Sequence, residues 1–76
     1  MINVKNKQLI KAVGERIREL RIVNGISQES LANEADIPLS QIGRIERGEN
    51  NPTISTLYVI AIALQVDLKE LLDIKL

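Results

Sequence analysis

The sequence predicts an all-α fold, a compact bundle of five short helices. Apolar residues recur at spacings of three and four along most of the chain, which is the period of a helix buried on one face. No alternating apolar–polar run is bounded by turns, so no strand is expected. The chain has 76 residues, 45% of them hydrophobic, enough for one small domain and too few for a second core. Tyr58 is the sole aromatic residue, with no Trp and no Phe, so the core must be built from Leu, Ile, Val and Ala.

Residues 1–7 are polar apart from Ile2 and Val4 and read as a flexible arm, with Asn6 placed to cap the first helix. Leu9, Ile10, Val13, Ile17 and Leu20 then form the stripe of that helix. Asn24-Gly25 should end it, because Gly readily takes the left-handed conformation found there. Ser27 suits the N-cap of a second helix, whose inward face is Leu31, Ala32 and Ala35. Asp36-Ile37-Pro38 interrupts, and Pro38 fits the first turn of a third helix. Ile42 and Ile45 point inward there, and Gly48 closes it. After the turn Glu49-Asn50-Asn51-Pro52, a fourth helix runs from about Thr53 to Leu64. Asp67-x-x-Glu70 resembles an acidic capping box opening a fifth, with Leu68, Leu71 and Leu72 behind it.

Composition excludes several functions. Without Cys or His there is no disulfide, no thiolate nucleophile, no catalytic triad and no soft or imidazole metal ligand. No metal, cofactor or small-molecule ligand is expected. Asp67, Glu70 and Asp73 lie at i, i+3 and i+6 without a partner base, and read as capping and solvation rather than catalysis. No segment reaches the roughly 20 apolar residues of a membrane span, and the N-terminus lacks the apolar run of a secretion signal. A cytoplasmic protein is expected.

Ten Lys and Arg balance ten Asp and Glu, yet the charges are not evenly spread. Residues 1–24 carry six cations against Glu15 and Glu19, a net of +4, and residues 25–76 carry a net of −4. A local basic face can therefore coexist with zero total charge.

Residues 27–48 place two short helices about a four-residue turn apart. That is the helix-turn-helix geometry in which the second helix enters the DNA major groove. Many small bundles contain such a pair. The residues are more specific: Gly25-Ile26-Ser27-Gln28-Glu29-x-Leu31-Ala32, then Ile42-Gly43-Arg44-Ile45-Glu46-Arg47-Gly48, then Asn51-Pro52-Thr53 with Leu57, Ile60-Ala61, Leu64 and Val66. Across residues 9–72 the chain closely resembles the lambda-repressor-like, Cro/C1-type (XRE) helix-turn-helix family. The resemblance implies a lambda repressor-like DNA-binding domain over residues 1–76. It implies sequence-specific binding of double-stranded DNA by a transcriptional regulator. Small family members include restriction–modification controller proteins, Cro-like repressors and antitoxins.

By position in that family, Leu39, Ser40 and Arg44 read bases from the recognition helix. Arg44 can bond bidentately to guanine O6 and N7, Ser40 can bond a base or a phosphate, and Leu39 can meet a thymine methyl. The other roles open to Arg44 are a phosphate contact or a surface pair with Glu46 or Glu49. Gln28 corresponds to a phosphate-holding residue at the start of the second helix, where exposed N–H groups favour an anion. Gln41 and Arg47 flank the reading face and suit phosphates. Asn50, Asn51 and Thr53 precede the fourth helix and suit phosphates or a plain turn and cap. Glu46 corresponds to a carboxylate paired with Arg21, a structural pair tying the third helix to the first. Three positions depart from the family. Gly43 costs the recognition helix about 1 kcal/mol relative to Ala, and Asp36 and Gln65 stand where a helix-ending Gly is usual.

The fourth helix carries more apolar residues than one core needs. Leu57, Ile60, Ala61 and Leu64 form one stripe, and Tyr58, Val59 and Ile62 fall largely on the other side. With Leu72, Ile74 and Leu76 they form a candidate homodimer interface. A two-fold dimer would set two recognition helices about 34 Å apart, on a pseudo-palindromic operator. The alternative is an antitoxin-type interaction module that binds a toxin partner through the same patch and autoregulates its operon. That reading expects a long wrapping tail, and four residues follow Leu72.

Overall fold

A computed structural model of the chain describes residues 6–76. Among them are five helices and no strand: α1 (Lys7–Val23), α2 (Gln28–Ala35), α3 (Leu39–Glu46), α4 (Ile54–Leu64) and α5 (Leu68–Leu71). Lys7 is the first residue of α1, so the arm drawn over residues 1–7 ends sooner, and residues 1–5 of it lie outside the described residues.

Three helices start on a side-chain oxygen that accepts an otherwise orphan backbone N–H. Asn6 accepts from Leu9, Ser27 from Ser30 and Thr53 from Thr56, at 2.9–3.1 Å. The other two starts differ from the sequence reading. Pro38 is the N-cap of α3 rather than its first helical residue, with ψ 140, and offers no side-chain bond. Asp67 occupies the N-cap of α5, but its carboxylate makes no cap bond. The capping box is therefore not formed there, and α5 is held by packing through the fully buried Leu71.

Four helix ends share one device, in which a left-handed residue turns the chain and the next N–H reaches back to a carbonyl five residues earlier. Gly25 (φ 67) and Gly48 (φ 75) do this at α1 and α3; Asp36 (φ 55) and Gln65 (φ 59) do it at α2 and α4. The reaching bonds are Ile26 to Arg21, Ile37 to Ala32, Glu49 to Arg44 and Val66 to Ala61, all 2.8–3.0 Å. Ile26, Ile37 and Val66 then pack against the core. Glu49 is the exception, a charged residue where the others place an aliphatic one.

The core lies between α1 and the helix pairs α2–α3 and α4–α5. Ile17, Leu31, Ile42, Ile45, Ile60, Leu64 and Leu71 are its largest fully buried side chains. Leu9, expected to face inward, is exposed in the first turn of α1, where it borders a hollow shared with Ile54, Leu57 and Leu72. Gly14 has a role that its place in the sequence does not signal. A Cβ there would collide with the carbonyl oxygen of Ile45, so its absence lets the α1 backbone lie against the C-terminal end of α3.

Candidate nucleic-acid interface

Helix α3 is divided lengthwise. Ile42, Gly43, Ile45 and Glu46 are buried, while Leu39, Ser40 and Arg44 are exposed on the other side, with Gln41 half-buried between them. The buried half anchors the helix to α1 and α2, leaving three side chains of different chemistry on a rigid, solvent-facing edge.

The anchor includes a charge cluster. Arg21 Nε donates to Glu46 Oε2 at 2.7 Å and Nη2 to Oε1 at 2.9 Å, a bidentate pair, while Nη1 donates to the Ile26 carbonyl at 2.9 Å. The Glu46 side chain is 2% exposed and that of Arg21 is 13% exposed. The hydrogen bond to Glu46 raises the Arg21 pKa above its ordinary value, burial opposes the shift, and the carboxylate's charge adds to it. Gln28 Nε2 also donates to Glu46 Oε1, at 3.0 Å. One carboxylate thus ties together α1, α2 and α3. Gln28, assigned to phosphate from its place at the start of α2, has its amide turned toward Glu46. That partner lies 18 residues away in the chain, and nothing in the local sequence signals it.

Arg47 follows α3 and is paired with Glu49, Nε to Oε2 at 2.8 Å and Nη2 to Oε1 at 3.3 Å. Both side chains are more than half exposed. The hydrogen bond from Arg47 holds the Glu49 carboxyl below its ordinary pKa, and the charges of Arg47 and Arg44 act in the same direction. The Arg47 pKa is raised by the same bond. A Cβ at Gly43 would stand 2.9 Å from Arg47 Nη1, a contact that the flexible arginine could relieve by moving. The guanidinium folds back over the position where α3 lacks a side chain.

Lys11 and Arg18, from α1, line one hollow with Glu15, Gln28, Glu46 and Arg47. Sequence reasoning missed these two cations. Their seven-residue spacing, which puts both on one face of a helix, was the available signal. Asn50 and Asn51 lie in the irregular segment before α4. The Thr53 hydroxyl is occupied in capping α4, accepting from the Thr56 N–H. Among the described residues no group of three or more acidic, His or Cys side chains gathers as a metal site, and no helix is long and apolar enough to cross a membrane.

On the outer side of α4, Tyr58, Val59 and Ile62 are exposed, as are Leu72 and Leu76. Ile74 departs from the expected patch: it is half-buried and packs against the core, because the chain folds back after α5, where the Ile74 N–H bonds the Leu72 carbonyl. Ile54, unassigned from sequence, is exposed at the start of α4.

Comparison with known proteins bears on the family and the fold. The family model described as Helix-turn-helix (HTH_3) matches residues 17–71. Control protein C.SmaI of Serratia marcescens is 40% identical over 60 residues, 79% of this chain and 71% of that protein. Control protein C.BamHI of Bacillus amyloliquefaciens is 39% identical over 61 residues, 79% of this chain and 75% of that protein. The crystal structure of the restriction–modification controller protein C.AhdI from Aeromonas hydrophila superposes with a TM-score of 0.80 at 38% identity, covering 87% of this chain and 98% of that one. With its five helices, its helix-turn-helix and these relatives, the chain belongs to the Cro/C1-type helix-turn-helix family of DNA-binding transcriptional regulators.

Proposed function

We propose that the protein is a sequence-specific regulator that acts in the cytoplasm as a homodimer on a pseudo-palindromic operator in double-stranded DNA. The observation that carries this reading is the lengthwise division of α3. Its buried half is locked to α1 and α2, and Leu39, Ser40 and Arg44 are displayed on the other half.

In this reading Arg44 bonds a guanine edge, Ser40 a base or phosphate, and Leu39 a thymine methyl. Gln41, Asn50 and Asn51 hold phosphates at the flanks, with Lys11 and Arg18 joining them from α1. Gln28 directs one amide N–H to Glu46 and contributes its second to a phosphate. Arg47 reaches a phosphate once released from Glu49. Thr53 acts chiefly through the α4 N-terminus that it caps. Tyr58, Val59, Ile62, Leu72 and Leu76 form the two-fold contact, with Ile74 supporting it from beneath. The controller-protein relatives favour a regulator of a restriction–modification locus.

Selection of random duplex DNA by the purified protein, followed by sequencing, tests the reading. A pseudo-palindrome with half-sites about one helical turn apart is expected. A protein that enriches no sequence is not a sequence-specific regulator, and one that enriches a single unrepeated site does not act as a two-fold dimer.

A further inference from the structure

Glu49 takes no direct part in the DNA contacts proposed for this face, yet it is the most deliberately placed acid on it. Its backbone is pinned, since its N–H donates to the Arg44 carbonyl at 2.8 Å. The matching position after α1, α2 and α4 holds Ile26, Ile37 or Val66, each packed on the core. A carboxylate at the C-terminal end of a helix also meets the negative end of the helix dipole. Local packing and the helix dipole therefore both disfavour an acid here, and only the neighbouring cations Arg47 and Arg44 favour it. What the acid gains is Arg47, gripped through two hydrogen bonds and seated over the bare backbone at Gly43.

We propose that Glu49 is an internal stand-in for a DNA phosphate: its carboxylate occupies the Arg47 guanidinium and keeps that cation out of non-specific contacts with the duplex. The inference rests on the DNA-binding reading and deepens it. A carboxylate presents to an arginine the same two-oxygen edge that a phosphate does. In a loose encounter, Arg47 keeps its internal partner and adds nothing to affinity. Removing the carboxylate frees one cation per subunit for the backbone of any sequence.

The test measures binding to the selected operator and to a random duplex of equal length, over a salt series, for the unaltered protein, Glu49→Gln, Arg47→Gln and the double variant. Both side chains are more than half exposed, so all four should melt alike. Glu49→Gln should bind the random duplex more tightly at low salt. One added phosphate contact steepens the slope of log K against log salt by about 0.9 per subunit, which is an extra change of about threefold between 50 and 200 mM salt. The gain should vanish in the double variant. An unchanged slope in Glu49→Gln overturns the inference. So does a gain that persists without Arg47, because Glu49 would then act by simple repulsion. If the unaltered protein binds neither duplex, the DNA-binding reading itself fails, and this inference with it.

Discussion

Replacing Arg21 by Ala should destabilise the fold far more than loss of an ordinary surface charge. The Arg21 guanidinium makes three hydrogen bonds, two of them to a carboxylate whose side chain is 2% exposed. Without it, among the described residues, Glu46 keeps only the Gln28 amide at 3.0 Å. Removing one partner of a buried pair in this way costs about 3–5 kcal/mol, because the charge left behind stays desolvated. At roughly 2.1 cal/mol/K of unfolding entropy per residue, 76 residues give about 0.16 kcal/mol/K. The melting temperature should therefore fall by roughly 20–30 °C. A domain of this size holds only about 4–11 kcal/mol in total, so the variant should be marginal at room temperature. Thermal melts followed by far-UV circular dichroism, at one fixed protein concentration, measure the shift. A fall below about 5 °C would mean that the pair is worth no more than an exposed one. The double change Arg21→Met with Glu46→Leu removes both charges and should recover most of the loss. If the double variant melts no higher than Arg21→Ala, the stranded carboxylate is not the cause.

Other sites give sharper single readouts. Arg44→Ala should lower the preference for operator over random DNA by about 1–3 kcal/mol; an unchanged ratio in a competition assay removes Arg44 from the base-reading set. Ile62→Asp should shift a dimer toward the 8.5 kDa monomer in sedimentation, while leaving the helical spectrum intact. Gly14→Ala gains about 1 kcal/mol of helix propensity but drives a methyl into the Ile45 carbonyl oxygen, so denaturant titration should show a net loss of at least 1–3 kcal/mol, roughly the cost of overpacking a core. Gln65→Gly relieves a left-handed residue at φ 59, a conformation that costs an L-residue about 1–2 kcal/mol; the freer unfolded chain of Gly takes back about 0.5–1 kcal/mol, so the melting temperature should rise by a few degrees.

Helix identity and order were legible because each helix is short, amphipathic and punctuated. Ser27, Thr53 and Asn6 advertise their caps through side-chain oxygens, and Leu31, Ile42 and Ile60 lie where the period puts them. Features that depend on a distant partner were not legible. Gly14 carries no mark of its role, because the carbonyl that excludes a side chain there belongs to Ile45. Gln28 has the chemistry of a phosphate ligand, and only the fold brings Glu46 to its amide. The left-handed turns at Asp36 and Gln65 replace the usual glycines because the reaching backbone bond, with Ile37 or Val66 docked behind it, sets the geometry whatever the side chain. Glu49 reads as one acid in a polar turn until Arg47 is seen folded against it.

The position of the single aromatic residue also determines what light can report about this molecule. Tyr58 is 57% exposed on α4, and no other Tyr, Trp or Phe competes with its signal. The interior, which holds no aromatic ring, is spectroscopically silent. Tyrosine emission and near-ultraviolet absorbance would thus respond to any partner that covers the outside of α4, whereas the fold is followed most directly through the backbone. Should the proposed two-fold contact form on α4, Tyr58 would report it in an unlabelled sample while the backbone signal reports the fold.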